Sequence, residues 1–398
     1  MRYVFKFLLG LILLIGLLIA LAYLTGNEYL VRGVRYTYLI GRSSPEIDDL
    51  NFFPFVPIPA SNPQPWPKGS RYGKLQLKEA DEEKLTELHS VGFVLIQHDS
   101  LIFEQYWHGW DQDSAVNSFS VAKSYISLLT GIALKEGAIK DLHQKAGDFL
   151  PEFAEDCHSK ITLGHLLTMS SGLDWSESGG DPFSDNAKGY YGLNVRDLSF
   201  DQPCRTEPGV EFDYTSGSTQ ILAEVLEAAY GMDLDRLVEE KIWRTLGAEE
   251  DAYWGKDRAD GDLKAFCCLY ATARDFARIG QLYLDSGRWH GREIIPIKYW
   301  KQSITPASLL DHGKPNERYG YFWWLAEVDG KPIHYARGIH GQYVVVIPHE
   351  DLVIVRTGMK REEVNREGHP QDVFEWIRIA RDMAGSRPDG PHIAAGRS

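Results

Sequence analysis

Ser120 and Lys123 are the residues of this chain whose types and spacing most directly suggest covalent chemistry. They lie in Ser118-Phe119-Ser120-Val121-Ala122-Lys123-Ser124-Tyr125, ahead of an apolar run from Ile126 to Leu134. Three positions apart at a helix start, the two side chains share one face about one turn apart. A serine hydroxyl is a poor nucleophile until a base removes its proton. Lysine can be that base where burial and nearby positive charge lower its pKa. The competing reading of so short a pattern is an N-cap serine beside a solvated lysine. The apolar helix that follows favours a buried helix N-terminus, whose dipole suits an oxyanion.

The surrounding pattern predicts the elements that would hold this pair. Val91 to Ile96 and Leu101 to Trp107 are β-type runs joined by His98-Asp99-Ser100, which reads as a hairpin. A helix is expected from Ser120 to about Glu136, closed by Gly137. Residues 140–300 read as mostly helical, with a threonine N-cap at Thr162 and an apolar-striped helix from Ile221 to Tyr230. After Tyr319 the period returns to two. Tyr321 to Val328, Gln342 to Ile347 and Leu352 to Arg356 are expected strands, followed by an amphipathic helix from Asp372 to Ala384. The prediction is an α+β fold: an antiparallel sheet built from both chain ends, flanking helices, and a mostly helical inserted region.

Composition narrows the function class. With 398 residues, 43% hydrophobic and 25% charged, the chain is globular rather than disordered, collagen-like or coiled-coil. Forty-two basic against 56 acidic residues leave a formal charge of -14, which argues against a nucleic-acid partner. Four cysteines without a C-x-x-C pair argue against a metal site, though Cys157 and Cys204 could pair in an oxidising compartment. Residues 1–24 stand apart. Arg2 and Lys6 precede an unbroken apolar run from Phe7 to Leu24, about 27 Å as a helix. It reads as a retained transmembrane anchor in preference to a signal cleaved after Ala20-Leu21-Ala22. Either way the bulk of the chain is expected to be extracytoplasmic, on the periplasmic side of an inner membrane. Seven prolines between Ser44 and Pro67 suggest that residues 25–75 form an extended arm. Residues 76–385 then form the catalytic domain and 386–398 a tail that frays.

The Ser120 segment resembles motif one of the serine β-lactamase and penicillin-binding-protein superfamily. More closely, the chain is similar to the class C-related esterase and amidase branch that includes the 6-aminohexanoate-dimer hydrolases. His165-Leu166-Leu167-Thr168-Met169-Ser170-Ser171-Gly172-Leu173-Asp174-Trp175 and Ala271-Thr272-Ala273-Arg274-Asp275-Phe276-Ala277-Arg278 resemble further segments of that branch, in the expected order. The resemblance implies a β-lactamase/transpeptidase-like fold. It also places motif two at Tyr214-Thr215-Ser216, with Tyr214 relaying a proton. Ser216 replaces the family's asparagine, which puts recognition of a β-lactam side-chain amide in doubt. Motif three, usually K-T-G, is absent. Arg356-Thr357-Gly358 mimics it too late in the chain, so the resemblance places the motif at Tyr335 to Gln342. There Ile339 and Ser120 would supply the two oxyanion N–H groups. Arg337, His340, Gln342 and Ser216 would contribute to substrate binding, and Tyr190 and Tyr191 would sit on a mobile flap, residues 178–194.

The expectation is a membrane-anchored serine hydrolase that cleaves a small ester or amide through an acyl-enzyme, with no cofactor. Two alternatives stand beside it. One is a β-lactamase or D,D-peptidase, which the missing motif-three lysine disfavours. The other is a catalytically silent binding protein on the same fold.

Overall fold

The computed structural model describes residues 1–385; the tail expected at 386–398 lies outside them. Helix α1 (Arg2–Leu24) has no buried residue. Its mean hydropathy of 2.9 makes it long and apolar enough to cross a membrane. It is apolar on every side and so has no polar face to offer water.

Residues 25–75 depart from the extended arm. Helix α2 (Glu28–Tyr36) and a turn at Tyr38–Ile40 come first, a second turn spans Asp49–Phe52, and strand β1 covers Phe55–Ile58. The helix forms because the first proline of the segment is Pro45, leaving the residues before it free to make backbone bonds. Tyr29 is buried, and Gly33 abuts the Tyr191 ring. The segment is therefore packed into the domain, not draped over it.

The main body is a six-stranded antiparallel sheet. In chain order it comprises β2 (Ser90–Gln97) and β3 (Ser100–Tyr106) from one side of the sequence. From the other side come β7 (Trp324–Val328), β8 (Lys331–Gly338), β9 (Gln342–Ile347) and β10 (Leu352–Gly358). The spatial order is β7-β8-β9-β10-β2-β3, so both chain ends build one sheet as the pattern predicts. Strands β2 and β10 are buried along their whole length, which explains their unbroken apolar runs. On one face the helix Ala273–Leu284 lies so close that a Cβ on Gly280 would stand 2.5 Å from Val353. On the other, Trp376 of the helix Gln371–Ala384 packs edge-on to Phe93.

The inserted middle is mostly helical, with short strands added, among them the pair Arg288–Trp289 and Arg292–Glu293. Strands β4 (Val116–Asn117), β5 (Ala252–Gly255) and β6 (Leu269–Ala271) join β1 in a second sheet, order β1-β5-β6-β4. Strands of two to four residues are too short to carry a period, which is why only the helices were legible there. Cys157 and Cys204 are bonded, as are the adjacent Cys267 and Cys268.

Candidate active site

The second sheet delivers Ser120, the expected nucleophile. Strand β4 ends at Asn117, and the Ser118 N–H donates to the Leu269 carbonyl of β6 at 2.8 Å. Phe119 then adopts a left-handed φ of 45°, a strained conformation for a bulky residue, and the Asn117 side chain accepts its N–H at 2.9 Å. Helix α3 (Val121–Glu136) begins immediately, with Ser120 at its N-cap position. The Ser120 side chain makes no capping bond, which leaves it to Lys123. Lys123 Nζ donates to Ser120 Oγ at 2.8 Å and to the Phe266 carbonyl at 3.0 Å. The lysine is 1% exposed. Its ammonium lies 5.0 Å from the centre of the Tyr214 ring, so the three residues expected to share the chemistry meet at one point.

Beside them stands a carboxylate that the pattern did not reveal. Glu177 accepts the Ser216 N–H at 2.8 Å, the Ser216 hydroxyl at 2.7 Å and the Trp175 indole N–H at 2.8 Å. Ser216 is the first residue of the helix Ser216–Tyr230, so Glu177 satisfies an orphan donor at the helix's positive end. Burial pushes the Glu177 carboxyl above its ordinary range while Lys123 pulls it down. This corrects the expectation for Ser216: its hydroxyl is spent on Glu177, and the side chain is buried, not turned to substrate. The one clue was position, since Trp175-Ser176-Glu177 directly follows the Ser170 to Asp174 segment.

Strand β8 lies against the turn that carries Ser120. A Cβ on Gly338 would stand 2.3 Å from the Ser118 carbonyl, so only glycine lets this strand approach the nucleophile turn. The turn Ile339–Gly341, where the second oxyanion donor is expected, follows at once. Gln342 ties that turn down, donating to the carbonyls of Ile339 at 3.1 Å and Gly358 at 2.6 Å. It is 2% exposed and makes a clamp, in place of the substrate contact expected of it. Arg356, the motif-three mimic, is buried and donates to the carbonyls of His340 and Gly341, both at 2.9 Å.

The remaining expectations divide. His340 directs its ring to the Pro45 carbonyl, Nε2 to O 2.8 Å, and so is held by the arm rather than free for substrate. Arg337 lies 3.4 Å above the Trp324 ring and donates to the Gly368 carbonyl at 3.0 Å. Trp324 in turn packs on Tyr214, so Arg337 belongs to the wall of this site. Tyr190 and Tyr191 do not form a flap. They end the helix Asp185–Tyr191, are 5% and 8% exposed, and pack edge-to-face on each other, with Tyr190 against Phe119. The Gly- and Asp-rich approach is exposed, as Phe183 at 64% shows, but the two tyrosines beyond it are packed against Phe53 of the N-terminal segment.

Ser120, Lys123 and Tyr214 converge at the start of a buried helix, with the Ile339 turn on a neighbouring strand. Such a set can activate a hydroxyl, stabilise a tetrahedral oxyanion and pass a proton to a leaving group. The Beta-lactamase family model matches residues 79–373. The 6-aminohexanoate-dimer hydrolase of Paenarthrobacter ureafaciens is 27% identical over 306 residues, 72% of this chain and 77% of that one. Two solved structures share the fold. A candidate 6-aminohexanoate-dimer hydrolase from Bacillus anthracis has a TM-score of 0.71 at 22% identity, covering 85% of this chain and 92% of that one. A family VIII carboxylesterase has a TM-score of 0.61 at 17% identity, covering 80% of this chain and 98% of the other.

Proposed function

The chain belongs to the beta-lactamase family and is a serine hydrolase of its esterase and amidase kind; from that premise we propose that it cleaves a small ester or amide through an acyl-enzyme on Ser120. The 2.8 Å bond between Lys123 Nζ and Ser120 Oγ carries this reading. In its neutral form Lys123 takes the hydroxyl proton as Oγ attacks the carbonyl carbon. The N–H groups of Ser120 and Ile339 receive the oxyanion. Tyr214, against the ammonium, hands a proton to the departing alcohol or amine, and water then clears the acyl-enzyme by the same groups in reverse. Glu177 holds the Tyr214-Thr215-Ser216 turn and balances the lysine's charge.

The relative named as a 6-aminohexanoate-dimer hydrolase supports amides of short linear chains as substrates. The absent motif-three lysine weighs against β-lactams and D-alanyl peptides. Retention of α1 as an anchor, with the domain extracytoplasmic, completes the proposal; its apolar length and the preceding Arg2 and Lys6 support it. A substrate panel tests the chemistry. p-Nitrophenyl esters and the aminohexanoate dimer should turn over, nitrocefin should not, and a fluorophosphonate should label Ser120. Labelling elsewhere, or nitrocefin hydrolysis at the ester rate, would overturn the assignment.

A further inference from the structure

Asp49 is 1% exposed, an uncommon place for a carboxylate contributed by a segment that otherwise serves as a connector. Its oxygens accept from Arg42 at 2.8 Å, from the Glu46 N–H at 2.9 Å and from the Tyr190 hydroxyl at 2.9 Å. Following these bonds inward leads to the catalytic centre. The Tyr190 hydroxyl oxygen receives the Asn117 side-chain amide at 3.4 Å, and the same amide reaches Tyr270 at 3.2 Å. The other end of that side chain accepts the Phe119 N–H at 2.9 Å, holding the strained residue that precedes Ser120. The Asn117 backbone N–H meanwhile donates to the Ile47 carbonyl at 2.9 Å.

A second line leaves the same segment. The Pro45 carbonyl receives His340 Nε2 at 2.8 Å, and the His340 ring stands edge-on to Phe119, centroids 5.5 Å apart. Residues 45–49 thus touch both turns that border the reacting carbonyl, the one carrying Ser120 and the one carrying Ile339.

We propose that the segment Arg42–Phe53 is a positioning element of the catalytic centre, with Asp49 acting on the Ser120 turn through Tyr190 and Asn117, and Pro45 acting on the Ile339 turn through His340. The proposal rests on the acyl-enzyme reading above. Its physical basis is that nucleophile and oxyanion donors must stand within a few tenths of an ångström of their working geometry. A left-handed Phe119 does not hold itself there. Buried hydrogen-bond chains polarise one another and stiffen what they connect, provided every member is satisfied, as Asp49, Tyr190 and Asn117 are. Burial also raises the Asp49 carboxyl to about 6 against the pull of Arg42, so the network is at its strongest above that pH. The charged and titratable groups facing it are Arg42, Asp48, Lys264, Tyr190, Tyr191 and Tyr270.

The test uses the full chain in detergent micelles. Asp49→Asn, Tyr190→Phe and the double variant are compared by thermal midpoint, by the rate at which a fluorophosphonate labels Ser120, and by kcat and KM for a p-nitrophenyl ester. Each folded single variant should lose about 10- to 100-fold in labelling rate and kcat, the scale of a misplaced catalytic group, with KM little changed. The double variant should be no worse than the worse single, because both act along one chain of bonds. If the variants fold and label at the wild-type rate, the segment is only scaffolding and the proposal is wrong. Should Asp49→Asn fail to fold, Tyr190→Phe decides the matter, since it deletes one hydroxyl. A wild-type chain that never labels at Ser120 defeats the acyl-enzyme reading itself and the positioning proposal with it.

Discussion

At the scale of single residues, the proposed chemistry rests on three side chains and one unexpected neighbour. Ser120→Ala should abolish acyl-enzyme formation, and Lys123→Ala should cost nearly as much, because an unactivated hydroxyl is a weak nucleophile at neutral pH. Tyr214→Phe removes only the proton relay and should lower kcat by about 10²–10⁴-fold, the usual worth of a general acid–base group. Steady-state kinetics on variants with unchanged circular dichroism checks all three. The Lys123 and Tyr214 changes should be far from additive in the double variant. Glu177→Gln is the sharper probe of what this structure adds. The carboxylate receives three donors, and an amide would present an NH₂ to at least one of them. Loss of kcat with a shifted pH–rate profile is the expected outcome; an unaltered profile would reduce Glu177 to a helix cap.

Elements decide how closely those residues can meet. Gly338→Ala would drive β8 away from the nucleophile turn, since the new methyl has no room beside the Ser118 carbonyl. The variant should retain its far-ultraviolet spectrum yet lose most of its labelling rate at Ser120. The helix Ser216–Tyr230 carries a different burden. Burial lifts Glu224 to about 7 and Glu227 to about 8, with neighbouring carboxylates adding to Glu227. A carboxyl whose folded pKa exceeds its unfolded value contributes stability at low pH that is lost as pH rises through the folded value. Together with Asp49, these groups should make the thermal midpoint fall as pH rises from about 5 to 7. Lys264 runs the other way. It is held down to about 7 by burial and adds stability only as pH climbs above that. Thermal melts across this range, repeated with Glu227→Gln, check the sign: the variant's profile should be flatter.

At the scale of the whole molecule, the N-terminal region expected to be an extended arm is joined by hydrogen bonds to the turns carrying Ser120 and Ile339. Removal of residues 1–26 should leave a soluble, folded and active chain, because α1 contributes nothing to the core. Carbonate extraction and ester turnover of both forms check this. Removal through Phe53 should not be tolerated, since it takes away Asp49 and the Pro45 carbonyl. Cys157 and Cys204 close a separation of 47 residues, and Cys157→Ser with Cys204→Ser should cost about 2–4 kcal/mol in denaturant melts. The sequence by itself determined a good deal. Ser120 and Lys123 were legible because a helix fixes neighbours three apart on one face. Strands β2, β9 and β10 were legible because burial on both faces leaves apolar runs, whereas β8, with an exposed start and polar residues along it, was not, and Tyr214 entered through the resemblance. Tertiary structure alone decided the rest. Glu177, the Phe266 carbonyl and Asp49 reach the site across sequence separations of 54, 143 and, through Tyr190, 141 residues. Ser216, Gln342 and His340 matched a substrate-facing pattern yet point into clamps, as packing set their partners. Local spacing encodes which side chains share a face, whereas the partner each buried polar group finds depends on which distant backbone the fold brings within 3 Å.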